Sequence, residues 1–284
     1  MINKFCSWFK SNNIYFETNK GILLQEDCMN VLKNIPDKSI NLIYSDLPFG
    51  KTQNSWDKLI PSLWMWSEFN RILKDNGCVV LHSMEEFTFL LGMSNFKNYK
   101  YRWYWQKDRG TGFLNAKKMP LRNIEDVLVF SPSKLGNFTY NPQMTIGQEC
   151  HSRGKSVGRK QEEFSTNDNY GELKAVQTKG NLKYPKTLLS FPRDKDKLHP
   201  TQKPLALAEY IIKTYTNEND IVLDISSGVS TSGLASEIHN RYWINIEKDI
   251  KKDKSTKEYI CAGYCEKAKN RINTYLREKR LHIS

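Results

Sequence analysis

The segment Ser45-Asp46-Leu47-Pro48-Phe49-Gly50 follows the apolar run Ile40 to Tyr44 and precedes a polar stretch. Open α/β sheets carry their chemistry at the C-terminal ends of strands, so an acid, a proline and an aromatic at this place form a candidate site. The set suits one task in particular. An exocyclic amine such as N6 of adenine is a poor nucleophile, because its lone pair is conjugated into the ring. The Asp46 carboxylate and the Leu47 backbone carbonyl can accept hydrogen bonds from the amino hydrogens and draw that nitrogen towards tetrahedral geometry. Pro48 fixes φ and so keeps the carbonyl aimed, and Phe49 offers a face for a base taken out of a duplex. An ordinary strand-ending turn draws on the same residue types, and on these residues alone the two readings stand level.

Two further segments carry chemistry. In His199-Pro200-Thr201-Gln202-Lys203-Pro204 the prolines stiffen an extended helix entry that presents Thr201 and Lys203 to an anion such as an amino-acid carboxylate. A capped linker would read the same in isolation. In Val222-Leu223-Asp224-Ile225-Ser226-Ser227-Gly228-Val229-Ser230-Thr231 a strand runs into a small-residue turn and a helix, so backbone N–H groups stand open to a ligand's charged end. Glu247, at the end of the next strand, is where an acid that grips ribose hydroxyls belongs.

The elements that must position these residues read as α/β. Short apolar runs predict strands over 22–25, 40–45, 78–82, 101–106, 126–130, 221–224 and 242–247, and amphipathic stretches predict helices over 29–34, 63–73, 85–95, 205–214, 231–239 and 264–279. Asp75-Asn76-Gly77 reads as a stop and turn. The aromatics Trp64, Trp66 and Phe69 fall within one helical pattern and Tyr101, Trp103 and Trp105 alternate as strand residues do, so all six read as core rather than as base-stacking surface. Between residues 136 and 197 periodicity fades into Gly, Ser, Asn, Lys and Arg, which reads as an insertion. The expected organisation is therefore 1–135 as one half of the main domain, 136–197 as the insertion and 198–284 as the other half. Lys248 to Lys257 reads as a solvated lysine-rich loop.

The 284 residues carry 43 Lys and Arg against 31 Asp and Glu, a formal charge of +12 that favours a polyanionic partner, most commonly nucleic acid. The six cysteines include no CxxC pair and fit neither a zinc site nor a disulfide scaffold, so reduced thiols in a cytoplasmic protein and no metal are expected. No stretch has the length of a membrane span.

In order and content the three segments resemble the β-class of amino-methylating DNA methyltransferases, which includes many restriction-modification enzymes, across roughly residues 21 to 271. The stretches Gln25-Glu26-Asp27-Cys28 and Gly112-Phe113-Leu114-Asn115-Ala116-Lys117-Lys118 also look like segments of that family. The resemblance implies a Rossmann-like S-adenosylmethionine-dependent methyltransferase sheet with helices on both faces and an inserted target-recognition region. It implies a catalytic pocket of Asp46, Leu47, Pro48 and Phe49, with Asp27, Cys28, Thr201, Lys203, Asp224, Ser226, Gly228, Thr231 and Glu247 around the cofactor. An Asp opening the catalytic segment favours N6 of adenine over N4 of cytosine. No metal is implied, because the sulfonium is already an activated donor. The family pattern D-P-F-x-G-S-G-T at the cofactor turn is altered here, losing a proline, an aromatic and a glycine, which predicts weakened cofactor affinity. Double-stranded DNA is the implied partner, a homodimer is common in the family, and a restriction partner is not readable. Lys117, Lys118, Arg122, Arg153, Lys155, Arg159 and Lys160 flank or lie in the recognition region and are the candidates for DNA contact.

Overall fold

The computed structural model describes residues 5–50, 60–147, 181–253, 255–256 and 258–281. In chain order the elements are β1 (Ile14–Glu17), β2 (Gly21–Gln25), α1 (Cys28–Val31), β3 (Ile40–Ser45), α2 (Ser62–Ile72), β4 (Leu73–Ser83), α3 (Glu85–Ser94), β5 (Tyr99–Thr111), β6 (Arg122–Phe130), β7 (Thr145–Ile146), β8 (Leu182–Lys183), β9 (Leu188–Ser190), α4 (Leu205–Tyr215), β10 (Ile221–Asp224), α5 (Thr231–Ile238), β11 (Tyr242–Glu247), β12 (Ile250–Lys252), β13 (Tyr259–Cys261) and α6 (Tyr264–Leu281). The chain divides into two compact units, residues 1–141 with 187–284, and residues 142–186. In the second unit β7 and β8 pair antiparallel.

The first unit is built on a nine-stranded sheet of order β1-β2-β11-β10-β3-β4-β6-β5-β9. Its five central strands, β2, β11, β10, β3 and β4, run parallel, and β6 and then β5 join antiparallel. Strands buried on both faces need continuous apolar runs, and Ile40–Ser45 and Ile221–Asp224 are buried throughout. Alternate residues of one strand feed opposite faces. Ile43 and Leu81 pack with Phe69, Ile72 and Leu91 from α2 and α3. Leu42, Tyr44 and Val80 pack with Leu207, Ile211 and Tyr215 of α4. Trp243 and Leu23 pack with Leu234, Ala268 and Ile272 of α5 and α6. Helices thus cover both faces, as expected; of the six aromatics read as core, Trp66, Phe69, Trp103 and Trp105 are buried, whereas Trp64 and Tyr101 are only partly buried against it.

Two expectations need correcting. Asp75-Asn76-Gly77 does not end an element: β4 runs through it, because the strand absorbs the turn residues as a bulge between the pairs Ile40–Leu73 and Leu42–Cys78. Only glycine fits at position 77, where a Cβ would lie 2.8 Å from the Asn41 carbonyl oxygen. The lysine-rich stretch after Glu247 is not simply a loop either, since β12 and β13 form an antiparallel hairpin. Its described turn is organised by Asp253, whose carboxylate accepts from the Ser255 and Thr256 amides (2.8 and 2.9 Å), an Asx arrangement.

Candidate active site

At the C-terminal ends of the parallel strands lies a cleft of about 980 Å³, beside the place where β10 and β3 adjoin. All the residues expected for catalysis, Asp46 to Phe49, and all those expected around a cofactor line this one cleft. So do Tyr44, His82, Lys107 and Glu125, which sequence reasoning did not single out.

Asp46 leaves the end of β3 with one oxygen, Oδ2, accepting from the Lys203 ammonium, while Oδ1 is buried and has no hydrogen-bond partner among the described residues. Lys203 therefore stands at the acid rather than solely at a cofactor carboxylate. Its Nζ is also 3.5 Å from Glu125 Oε2, and Lys107 Nζ lies 2.6 Å from Glu125 Oε1. Burial raises the Asp46 carboxyl above its ordinary value, with Lys203 opposing. Burial acts the same way on Glu125, but Lys203 and Lys107 outweigh it and hold that carboxyl at about 2. His82, whose Nε2 is 3.0 Å from the Tyr44 hydroxyl, is pushed down to about 3 by burial and by both lysines, so it is neutral near pH 7. Leu47 is buried in the core, and the Phe49 ring packs against Phe87 with centroids 4.9 Å apart.

The missed residues had a partial signal. Trp103, Trp105 and Lys107 continue one buried alternation along β5, and Glu125 shares its face with Val127 on β6. Period-two reading places Lys107 inward. Nothing local says that its partner is Glu125, because that pairing depends on the register between β5 and β6.

The other end of the cleft is organised by serines. Asp224 accepts from the Ser45 and Ser232 hydroxyls (2.6 Å each) and from the Ser226 amide (3.1 Å). The Ser226 hydroxyl donates to the Asp46 carbonyl oxygen (2.9 Å), tying the turn after β10 to the segment that follows β3. Asp224 is thus a buried tie rather than an open ligand group, and burial lifts it to about 6. Gly228, at φ 52°, turns its N–H onto Glu247 Oε2 at 2.7 Å. Burial lifts Glu247 to about 7, against the Asp249 and Gly228 amides that accompany it. Ser230 is fully buried, within 2.6 Å of the Asn245 amide, and so does not narrow the approach to the turn. Thr231 accepts from Arg271 (2.9 Å).

Of the remaining expected cofactor residues, Asp27 caps α1 through the Met29 amide and pairs with Lys248 at 2.9 Å. Cys28 is buried, its thiol held up at about 12 by burial. Thr201 is exposed and turned onto His199, while Gln202 points away to Asp194 (2.8 Å), a residue that also accepts from the first amide of α4. The hairpin contributes Ile250 and Tyr259 to the cleft wall.

Lys117 and Lys118 are exposed, whereas Arg122 is half-buried and already bound to Glu85 (3.0 and 3.1 Å). Arg153, Lys155, Arg159 and Lys160 lie outside the described residues. Among the described residues no group of His, Cys, Asp and Glu is placed to hold a metal ion, and no helix is long and apolar enough to cross a membrane.

Residues 40–258 match a family model described as DNA methylase, of the N6/N4 group. The chain is 27% identical to the DNA adenine methyltransferase YhdJ of Escherichia coli K12, over 79% of this chain and 77% of that protein. Among solved structures it is similar to M1.HpyAVI in complex with SAM (TM-score 0.54, 24% identity, 88% of this chain and 98% of that one). It is also similar to the cytosine-N4-specific PvuII DNA methyltransferase (TM-score 0.58, 19% identity, 93% and 96%). At these identities the structural likeness establishes the fold.

Proposed function

The chain belongs to the N6/N4 DNA methylase family, and from that premise we propose that it transfers a methyl group from S-adenosylmethionine to N6 of an adenine flipped out of duplex DNA. The observation that carries the reading is Asp46 Oδ1, a buried acceptor without a partner among the described residues, at the end of β3 and in the same cleft as Gly228 and Glu247. A buried carboxylate oxygen left open costs free energy unless a donor arrives. The amino group of a base is such a donor.

The residues at the other end fit the cofactor. Ser227 Oγ is buried without a partner among the described residues, Gly228 supplies the left-handed backbone that the turn requires, and Glu247 is an acid suited to ribose hydroxyls. S-adenosylmethionine supplies there a methyl group already activated on sulfonium. The protein's own work is positional. Asp46 and the Leu47 carbonyl accept from the target amine, Pro48 holds the segment, Ser226 anchors it from below, and Phe49 flanks the base. Adenine is favoured over cytosine by the acid at position 46 and by the adenine methyltransferase among the relatives.

Residues 136–197 are the proposed target-recognition region, with Lys117 and Lys118 among the phosphate contacts that set register on the duplex. Tritiated methyl transfer to duplex DNA, followed by nucleoside separation, tests the reading. Label in N6-methyladenine is the expected result; label in N4-methylcytosine would reassign the base, and no label across varied sequences and cofactor concentrations would refute the reading.

A further inference from the structure

Behind Asp46 four charges meet in a region nearly closed to water. The side chains of Lys107, Glu125 and Lys203 are 6%, 8% and 10% exposed. They form a chain, Lys107 to Glu125 to Lys203 to Asp46, with two positive and two negative charges. The neighbouring His82 is neutral and adds none, its Nδ1 3.9 Å from Glu125 Oε2. Buried charges persist only when each is compensated. Here the compensation is shared, because Lys203 lies between two carboxylates.

The arrangement divides the two oxygens of Asp46. Lys203 occupies Oδ2, and Oδ1 is buried with no hydrogen-bond partner among the described residues. We propose that Glu125, braced by Lys107, is a positioning residue for amino methylation: it fixes Lys203 on one oxygen of Asp46, so that the other faces the target amine. The inference rests on the methyltransferase reading above. It has an electrostatic side as well. During transfer positive charge grows on the amine nitrogen, and Asp46 can stabilise it only while Lys203 is offset. Without Glu125 the two lysines face Asp46 alone, and the site carries a net positive charge beside the growing one.

Glu125→Gln, Glu125→Asp and Lys107→Met in the full chain test this through kcat, KM for duplex, cofactor affinity and the pH dependence of kcat. Glu125→Gln is expected to lower kcat by on the order of 10- to 100-fold, with cofactor affinity and KM within about twofold of wild type. Its acid limb should move to lower pH, because Asp46 loses a negative neighbour. Glu125→Asp should restore part of the rate, and Lys107→Met should fall between.

An unmoved acid limb with near-wild-type kcat would overturn the positioning role. So would a parallel loss of kcat and cofactor binding, which marks a mere structural brace. If Glu125→Gln fails to fold, Lys107→Met is judged by the same limb, which in that variant should move to higher pH because Asp46 loses a positive neighbour. Wild type runs beside the variants: absence of transfer by wild type defeats the methyltransferase reading, whereas transfer by wild type with an unchanged Glu125→Gln defeats this inference alone.

Discussion

In the proposed reaction Asp46 carries the largest share of the chemistry, and its neighbours make its loss separable from the loss of the fold. Lys203 keeps Glu125 as a partner when Asp46 is removed, so Asp46→Ala should stay folded. Its kcat should fall by roughly a thousandfold, the scale of removing a group aimed at developing charge, with cofactor affinity changed by no more than a few-fold in calorimetry. Glu247 gives the pH dependence. Its carboxyl is lifted to about 7 by burial, and only the ionised form accepts fully from ribose hydroxyls. Cofactor affinity should therefore drop by up to about tenfold from pH 8 to pH 6, and Glu247→Gln should flatten that profile. In the free protein the sign is opposite. A folded-state value raised above the unfolded one means that the native state binds the extra proton, so this contribution is present below the ordinary glutamate range and is lost as pH rises through about 7. Urea midpoints across pH, flattened in the same variant, check it. Asp46, Gly228 and Glu247 were legible because each sits in a local strand-to-turn pattern. Lys107, His82 and Glu125 were not, because what makes them a group is the pairing of strands distant in sequence.

At the scale of elements, the central strands were readable from apolar runs, and Ile40–Ser45, Ile221–Asp224 and Tyr242–Glu247 have the bounds the sequence predicts. The edge was harder to read. β1 and β9 are three or four residues long and take their place from pairing with β2 and β5, not from any pattern of their own. The lysine-rich stretch hid a hairpin for a related reason: charge dominates its composition, while Ile250, Tyr259 and an Asx turn at Asp253 decide its structure. One packing contact tests the parallel core. Gly21 faces Trp243 across β2 and β11, and a Cβ there would come within 2.1 Å of the indole. Trp243 is fully buried and donates to Glu237 at 2.9 Å, so it has little room to yield. Gly21→Ala should cost about 1–3 kcal/mol of stability by overpacking, read as a lower urea midpoint with the slope unchanged.

For the whole molecule, the charge of +12 agrees with a DNA partner without locating it. Lys117 and Lys118 are exposed cations in the stretch ahead of the proposed recognition region. If both contact phosphate, reversing them with K117E and K118E should make the slope of log affinity against log salt shallower by roughly two, while cofactor affinity stays as it was. An unchanged slope would remove them from the interface. One cleft, with Asp46 at one end and Glu247 at the other, is the proposed place of adenine methylation. Its most direct test is mass spectrometry of nucleosides from duplex DNA incubated with methyl-deuterated S-adenosylmethionine and either wild type or Asp46→Ala. Deuterated N6-methyladenine is expected with wild type and none with the variant, although the variant still binds the cofactor. Equal product from both proteins, or none from wild type, would contradict it.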